Sequence, residues 1–447
     1  MNKTTSAGQS FLGVLLILLA FSGQVTSQIQ IAEIDAFGEL EDGLGRGEDW
    51  IELVNVGETA ASLGGLYLSD DAQNWGQWSL PNITLDPQER LVVWCSGRDV
   101  GAIDHWECPA DDTDAWHYWV PNQALDADWR TLDFDDSNWQ TGPGSIGYGD
   151  GDDAITINGN VVFMRRNFNG VNTQELVHGV LAMDYDDGFV AFLNGREFAR
   201  SSTMEGASVA HNALTGGLHE AVLYTGGIPE SVPFDPREWL VEGANVLAVQ
   251  VHNDNVNSSD LTARPFLALA RTDPTPVPFG ILPNWLEPEA PEFHTNFKLK
   301  PGEPVILSNA AGDLLDLATL PSELRSGVTM GRAEGASEWC FFTSPSPGTA
   351  NLSSCFSHIA PAPVVEPSSG WYTASTVSAV PGVPSGPPGQ TLPAVTLRFT
   401  VDGSEPTASS AAFTGFWNPA ETSVLSVKAF GEGMVPSATV DRIYFMD

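Results

Sequence analysis

Basic residues are scarce in this chain of 447 residues. Only 19 Lys and Arg stand against 57 Asp and Glu, which gives a formal net charge of −38. A surface with that charge repels nucleic acid and anionic membranes, so we expect no nucleic-acid partner. It suits solubility in salty water or loose binding of cations. The plain alternative is a solvated acidic surface without a ligand.

Long apolar segments are lacking beyond the N-terminus. Lys3, the apolar run 11–21 and the small residues 25–27 have the pattern of a secretion signal. The run is too short to span a bilayer comfortably. We therefore expect a signal peptide over residues 1–27, cleavage after Ser27, and a secreted or cell-surface protein without membrane contact afterwards. An uncleaved anchor is the alternative.

Cysteine is rare, with four residues, and no Cys-x-x-Cys spacing occurs. This argues against a structural zinc site or a redox motif. An even number of cysteines in a secreted chain favours two disulfides. Pairing of Cys95 with Cys108 and of Cys340 with Cys355 is the simplest of three connectivities, and the sequence leaves that choice open.

Motifs of catalysis are also lacking. None of the eight histidines forms His-x-x-x-His or His-Glu-x-x-His, which argues against a zinc hydrolase. Gly142-x-Gly144-x-x-Gly147 matches a dinucleotide fingerprint in letters only. No helix follows it, and the acidic residues 150–153 would repel a pyrophosphate. We expect no enzymatic activity.

Glycine (44) and proline (31) are plentiful, whereas clear amphipathic helical runs are few. Many short strands and turns are therefore expected. The stretch 183–195 is the clearest of them. Its apolar residues run without a break from Phe189 to Leu193, which predicts a strand covered on both faces. Asn194-Gly195 predicts a hairpin after it, and Asp186-Asp187-Gly188 a tight turn before it.

Two separated regions resemble one family. The letters "DWIELVNVGETAASLGGLYLSDD" and "LDPQERLVVWCSGRD" resemble the first half of the lamin-tail domain of secreted bacterial proteins, an immunoglobulin-like β-sandwich. Two later segments, "GEPVILSNAAGDLLDLATLP" and "GRAEGASEWCFFTSPSPGTAN", resemble the second half of the same domain. We predict one sandwich split into residues 28–111 and 294–355. Insertion of a domain is tolerated at an exposed loop whose ends lie close together.

The inserted region, residues 112–272, resembles a second family. The phrases "WRTLDFDDSNWQTGPGSIGYGDGDD", "DYDDGFVAFLNGREFAR" and "LVEGANVLAVQVHNDNVNSSDL" are similar to galactose-binding-like jelly rolls of carbohydrate-active and cell-surface proteins. The resemblance implies glycans or cell-surface polymers as partners. The Pro-rich residues 273–293 are expected to connect the insert back to the split sandwich.

Residues 356–447 resemble the C-terminal module of chitobiases and hexosaminidases, around the turn 402–407. That resemblance implies an immunoglobulin- or fibronectin-like sandwich acting as a spacer or accessory domain, with a long loop over 381–393. Together the modules resemble the N-terminal part of secreted proteins that carry a spore-coat protein H (CotH) kinase-like domain. No residue of that kinase-like domain occurs here, so its activity is not carried over.

Six carboxylates on two turns are the candidate metal ligands. Alternating carboxylates can hold Ca²⁺ through oxygen atoms, although the spacing is not that of an EF-hand. The alternatives are turn carboxylates that accept backbone N–H groups, and a solvated acidic loop. The six residues are Asp150, Asp152, Asp153, Asp184, Asp186 and Asp187.

Aromatic and basic residues of the insert are candidate ligand contacts. We place Tyr148 at a binding surface and consider Arg165 and Arg166 as a clamp for hydroxyls or carboxylates, with one of them pairing with an acid instead. Trp129 and Trp139 are predicted to be core residues rather than sugar platforms.

The sequence thus predicts an all-β, secreted, non-catalytic protein whose jelly roll binds carbohydrate or another surface ligand. The alternatives are the targeting part of a CotH kinase-like surface protein and a purely structural spacer. The carbohydrate role depends on resemblance at the level of the fold.

Overall fold

The computed structural model describes residues 27–125, 127–204, 209–274, 279–373, 376–380 and 393–446. Residues 1–26 of the predicted signal peptide, and residues 381–392 of the predicted loop, lie outside the described residues. Within the described ranges, no helix is long and apolar enough to cross a membrane. The chain is built of short strands, so it is an all-β protein.

Strands precede, form and follow the insert. Those before it are β1 Ile29–Asp35, β2 Asp49–Asn55, β3 Ala61–Ser62, β4 Leu66–Ser69, β5 Trp78–Ser79, β6 Thr84–Leu85 and β7 Arg90–Cys95. Those of the insert are β8 His105–Ala110, β9 Ala115–Trp119, β10 Gln140–Pro143, β11 Ile146–Tyr148, β12 Ile155–Thr156, β13 Val161–Val171, β14 Leu176–Tyr185, β15 Gly188–Leu193, β16 Arg196–Arg200, β17 Glu230–Phe234, β18 Gly243–His252 and β19 Leu261–Arg271.

The remaining strands follow the insert. They are β20 Pro304–Asn309, β21 Leu314–Thr319, β22 Thr329–Arg332, β23 Trp339–Phe342, β24 His358–Ile359, β25 Val364–Glu366, β26 Gly370–Tyr372, β27 Val377–Val380, β28 Val395–Thr400, β29 Ala411–Ala412, β30 Phe416–Trp417, β31 Ser423–Gly431, β32 Met434–Val435 and β33 Val440–Met446. The described helices are single turns, namely α1 Pro236–Trp239 and the 3-10 turns Ala127–Arg130, Thr173–Glu175 and Leu223–Thr225.

The first sandwich combines strands from both sides of the insert. One sheet has the order β23-β22-β1-β2-β7 and the other the order β21-β20-β4-β5. Ile34 of β1 faces Met330 of β22 across the first sheet, and Leu68 of β4 faces Leu307 of β20 across the second. All four side chains belong to one buried core. The split sandwich predicted from the sequence is therefore present.

The insert is a two-sheet jelly roll. One sheet has the order β10-β9-β13-β18-β15-β16; the other has the order β12-β11-β19-β14-β17, and β8 also pairs with β19. The jelly roll therefore begins at β8, before residue 112 where the sequence placed its start. Its ends lie side by side, since the N–H of Asp104 donates to the carbonyl of Arg271 at 2.7 Å. Adjacent ends allow the insert to leave the outer sandwich intact.

Strand β15 lies inside the jelly roll, and all six of its residues are buried. Phe189 and Leu193 point into the core between the two sheets. Val190 and Phe192 point to the outer face of their sheet, where other side chains cover them. Asn194 and Gly195 have φ of 50° and 86° and turn the chain into β16, so the predicted hairpin is confirmed.

The tight turn predicted before β15 is present, and it joins two sheets rather than two neighbouring strands. Strand β14 belongs to one sheet and β15 to the other. Asp186-Asp187 therefore carries the chain across the sandwich and does not close a hairpin. This crossover places consecutive carboxylates between the edges of two sheets, where backbone N–H groups of neighbouring loops can reach them.

The last unit is a sandwich of the sheets β25-β27-β30 and β26-β33-β31-β28-β29 with its own core. It docks on the split sandwich through the parallel pair β24 and β32. Ile359 and Val435 of that pair belong to the core of the split sandwich. The C-terminal unit is thus packed against its neighbour.

The cysteine prediction is half right. Cys340 and Cys355 form a disulfide that closes a loop with a sequence separation of 15. Cys95 and Cys108 are free and buried. They cannot pair because Cys95 ends β7 in the core of the split sandwich, whereas Cys108 lies on β8 of the jelly roll.

Candidate cation site on the inserted jelly roll

Two of the predicted metal ligands hold loops in place. Asp184, 1% exposed, accepts hydrogen bonds from the N–H of Val222 at 2.7 Å and of Leu223 at 3.3 Å. Asp187, 2% exposed, accepts them from His219 and Asp254. Both residues therefore match the alternative to metal ligands, namely turn carboxylates that accept hydrogen bonds from backbone N–H groups.

Asp186 has a different environment. It is 3% exposed, it accepts no hydrogen bond from an N–H or hydroxyl group of the described residues, and its carboxyl group is hydrogen-bonded to that of Asp187. Its oxygen lies in a cluster with carboxylate oxygens of Glu220 and Asp260, all within 4.8 Å of one another. Burial, together with the neighbouring Asp187, Asp260 and Glu220, raises the pKa of Asp186 well above its ordinary value.

These three residues, Asp186, Glu220 and Asp260, are called the carboxylate cluster below. Three acids this close repel one another unless a proton or a cation lies between them. Calcium binds oxygen ligands at about 2.3–2.6 Å, so two ligands of one ion can lie up to about 5 Å apart. The spacing of the carboxylate cluster fits that requirement.

Local structure explains how the cluster forms. The crossover after β14 brings Asp186 to the edge, and its N–H donates to the carbonyl of Thr262 on β19 at 3.0 Å. Asp260 immediately precedes β19. Glu220 lies on the loop whose N–H groups are bound by Asp184 and Asp187 on either side of it, at residues 219 and 222. The hydrogen-bonding aspartates thus position the cluster.

The other acidic turn, residues 150–153, lies beside the cluster and does not join it. Asp150 accepts a hydrogen bond from the hydroxyl of Thr262 at 3.1 Å, and Asp152 pairs with Arg264 at 2.7 Å. Asp153 has a buried oxygen without a partner among the described residues. Burial and the neighbouring Asp152 and Asp150 raise the pKa of Asp153 to about 7. Of the six predicted ligands, only Asp186 belongs to the carboxylate cluster.

Tyr148 lies next to the cluster. Its hydroxyl is 3.4 Å from Nδ2 of Asn253, which donates to the carbonyl of Asp260 at 2.6 Å. Burial, then Asp186 and Asp260, raise the pKa of Tyr148. The phenol is partly exposed, so it can contact a ligand bound at the cluster.

The predicted arginine clamp is wrong. Arg165 is 1% exposed; its Nε binds Asp136 at 2.7 Å, and its Nη1 donates to the carbonyls of Trp129 and Thr131. Arg166, on the opposite face of β13, pairs with Asp114 at 2.6 Å. Side chains of consecutive residues in a strand point to opposite faces of the sheet. Each arginine therefore forms an ion pair with an acid on its own face and is not available to bind a ligand.

The predicted core tryptophans are buried. Trp129 is 3% and Trp139 9% exposed, and the two rings stack at 6.1 Å between centroids. They cover the outer face of the six-stranded sheet and pack with Phe163 and Phe192. The prediction of core residues is confirmed for both.

Sequence reasoning missed Glu220 and Asp260. They are 34 and 74 positions beyond Asp186, and no fixed spacing links them. The position of Asp260 directly before an apolar strand was a weak signal for a residue at a sheet edge. Glu220 had no signal, because its loop has no regular pattern.

Two family models match the chain. The Lamin Tail Domain matches residues 22–166, and the Chitobiase/beta-hexosaminidase C-terminal domain matches residues 367–441. These are the resemblances expected for the first and last sandwiches. The first match extends into β13 of the jelly roll, whereas β20 to β23, which complete the split sandwich, lie outside it. No curated protein matches the chain.

Among solved structures, matches include a beta-glucuronidase of an uncultured Clostridium sp., with 9% identity over 77% of this chain and 45% of that one and a TM-score of 0.25. A glycosyl hydrolase family 2 member from Bacteroides cellulosilyticus is 9% identical over 75% of this chain and 36% of its own, with a TM-score of 0.24. The Ruminococcus gnavus beta-glucuronidase is 9% identical over 78% of this chain and 46% of its own, with a TM-score of 0.23. This chain spans less than half the length of each, and scores this low support no conclusion about function.

Proposed function

We propose that this is a secreted, non-catalytic recognition protein whose jelly roll binds a divalent cation, Ca²⁺, at the carboxylate cluster. The observation that carries the proposal is the close approach of three carboxylates, Asp186, Glu220 and Asp260, whose oxygens lie within 4.8 Å of one another although Asp186 is 3% exposed. Ionising a buried carboxyl group beside other carboxylates is costly. A bound cation removes that cost.

The chemistry of the donors favours calcium. The cluster contains carboxylate oxygens alone, with no histidine nitrogen or cysteine sulfur. Such hard donors suit Ca²⁺ or Mg²⁺ rather than zinc. Calcium takes about six to eight ligands, so three carboxylates leave positions for water or for a ligand's hydroxyl groups.

The exposure of the cluster supports binding of an external ligand. Asp186 is buried and Asp260 is partly exposed, whereas Glu220 is exposed and opens the cluster to solvent. A glycan or another hydroxyl-rich surface polymer could approach from that side and contact Tyr148. We propose no catalytic role for the cluster.

The flanking sandwiches are proposed to position the jelly roll outside the cell. The Cys340–Cys355 disulfide supports an oxidising environment, as does the signal-like sequence of residues 1–27. The matched modules at both ends support an accessory role, either alone or as the targeting part of a CotH kinase-like surface protein.

A glycan array tests the recognition role. The mature chain is applied with Ca²⁺ and, separately, with EGTA. Asp186→Asn and the exposed control Asp133→Asn are run in parallel. The proposal expects glycan signals that need Ca²⁺, are lost in Asp186→Asn and persist in Asp133→Asn. Signals that do not change with EGTA would overturn a cation-dependent role.

A further inference from the structure

A cavity separate from the carboxylate cluster lies on the outer face of the sheet β10-β9-β13-β18-β15-β16 of the jelly roll. We call it the outer pocket. It has a volume of about 380 Å³ and is lined by the aromatic side chains Trp129, Phe163 and Phe192 and by Gln250 and Arg130. The volume is within the range of about 300–1,000 Å³ that is usual for small-molecule sites. None of its lining residues belongs to the carboxylate cluster.

Gln250 is a polar residue that lines this pocket. It lies on β18 between Phe163 of β13 and Val190 of β15. Its side chain is 4% exposed, and its amide forms no hydrogen bond with any described residue. An amide can donate two hydrogen bonds and accept two, so the Gln250 amide has capacity for hydrogen bonds with a ligand in the pocket. A ligand with hydroxyl groups would supply the missing partners.

Arg130 is unusual among the arginines of this acidic protein. Each of the other arginines donates at least one hydrogen bond to the chain. Arg130 forms neither a hydrogen bond nor an ion pair with the described residues, and its Nε is buried without an acceptor. Its guanidinium lies 4.5 Å from the centroid of the Phe192 ring. The N–H groups at the edge of the guanidinium therefore lack an acceptor.

Among the described arginines that line the outer pocket, Arg130 is the one without an anionic partner. Glu197 and Arg200 line the pocket and bind each other through two contacts of 2.6 and 2.8 Å. Their charges largely cancel. The guanidinium of Arg130 presents parallel donors that match a carboxylate.

From these observations we infer that the outer pocket binds a single sugar ring that carries a carboxylate, that is, a uronic acid. Arg130 binds the carboxylate, and Gln250 bonds to ring hydroxyls. Phe163, Phe192 and Trp129 line the apolar side of the pocket, but they are at most 3% exposed and pack against one another, so we assign no stacking of the sugar ring to them. This site differs from the proposed cation site and does not depend on it.

Calorimetric titration of the mature chain in EGTA tests the inference. The probes are glucuronate and galacturonate, compared with glucose, galactose and acetate. We expect the uronates to bind roughly tenfold to hundredfold more tightly than the neutral sugars, which is the range for hydrogen bonds to a charged group. Acetate alone should bind far more weakly than either uronate. Absence of uronate binding, or equal binding of acetate, would overturn the inference.

Variants identify the residues. Arg130→Gln should abolish the preference for uronates over neutral sugars, and Gln250→Met, with similar volume, should weaken both classes and keep the preference. Arg196→Gln is the matched control, because Arg196 also lies over an aromatic ring, 4.2 Å from the centroid of Trp239, outside the pocket. It should bind like the wild type. Persistent preference in Arg130→Gln would refute the assignment. Asp186→Asn should retain uronate binding, which separates this test from that of the cation site.

Discussion

Asp186 and Asp187 are consecutive, both are almost fully buried, and their carboxylates have opposite environments. Asp187 accepts N–H groups from His219 at 3.0 Å and from Asp254 at 2.8 Å. Asp186 accepts no N–H group of the described residues; its carboxyl group is hydrogen-bonded to that of Asp187 and lies close to Glu220 and Asp260. Asp187 fixes the loops, whereas Asp186 holds a proton unless a cation takes its place. The proposed cation site follows from this contrast.

Substitution of Asp186 by asparagine should stabilise the protein in EGTA at about pH 8. The raised pKa of Asp186 means that the folded state holds a proton that the unfolded state releases above its ordinary pKa. The free energy of unfolding of the wild type therefore falls as pH rises from the pKa of Asp186 in the unfolded state to its pKa in the folded state, by at most about 1.4 kcal/mol per pH unit. Asparagine does not titrate. Urea unfolding at several pH values should show that the difference in free energy of unfolding between Asp186→Asn and the wild type shrinks towards about pH 5.

The same experiment with Asp133→Asn is the control, since Asp133 is exposed. Its unfolding curve should follow the wild type at each pH. A variant at position 186 that is less stable than the wild type in EGTA would contradict the assigned environment of this carboxylate.

Replacement of Asp187 by alanine should have the opposite effect. It removes the acceptor of two backbone N–H groups, each bonded to a charged group, and should cost about 2–4 kcal/mol of the free energy of unfolding. Chemical denaturation followed by tryptophan fluorescence measures the loss. A cost below about 0.5 kcal/mol would mean that these hydrogen bonds do not hold the loops.

Arg165→Met should destabilise the jelly roll strongly. The guanidinium is 1% exposed, binds Asp136 and two carbonyls, and lies 5.2 Å from the centroid of the Phe134 ring. Removing one partner of a buried ion pair costs roughly 3–5 kcal/mol. Arg166→Met is the matched comparison on the same strand. Its ion pair is partly exposed, so about 0–1 kcal/mol is expected. Equal effects of the two substitutions would argue against a buried role for Arg165.

The cysteines should respond to alkylation according to their burial. In the folded protein, Cys95 and Cys108 should react slowly, because both thiols are buried and burial raises the pKa of Cys108 to about 12. After unfolding without a reductant, iodoacetamide should label these two residues and leave Cys340 and Cys355 bonded. Mass spectrometry of peptides reads the result. Label on Cys340 would contradict the disulfide.

The disulfide should contribute to stability. In the chain-entropy account, closing a loop of about 15 residues contributes roughly 3 kcal/mol. A Cys340→Ser, Cys355→Ser double variant should lose a comparable amount in urea unfolding, measured against wild type without reductant. If the double variant is as stable as the wild type, the disulfide does not hold the end of the split sandwich.

Local patterns predicted the elements well. The unbroken apolar run of β15 and the Asn194-Gly195 turn specify a buried strand and its hairpin through residues adjacent in sequence. For this strand the information lies within a short segment, where the period of burial and the turn chemistry are set. The split sandwich was predicted instead from the resemblance of the segments before and after the insert to the two halves of a lamin-tail domain.

The site depended on contacts that local patterns do not contain. Asp186, Glu220 and Asp260 meet only because β14 crosses to the other sheet and β19 returns beside it. The same limit explains the wrong clamp. Nothing near Arg165 in the sequence indicates that Asp136 and two carbonyls lie within reach. Likewise, the spacing of Cys95 and Cys108 did not show that a domain boundary separates them.

The most direct test of the cation site is calorimetric titration of Ca²⁺ into the mature chain, into Asp186→Asn and into the control Asp133→Asn. The account predicts one saturable site in the wild type and in the control, and its loss in Asp186→Asn. It also predicts stabilisation of the wild type by about 2.7 kcal/mol at a calcium concentration a hundredfold above Kd. Absence of saturable binding to the wild type, or undiminished binding to Asp186→Asn, would contradict the account.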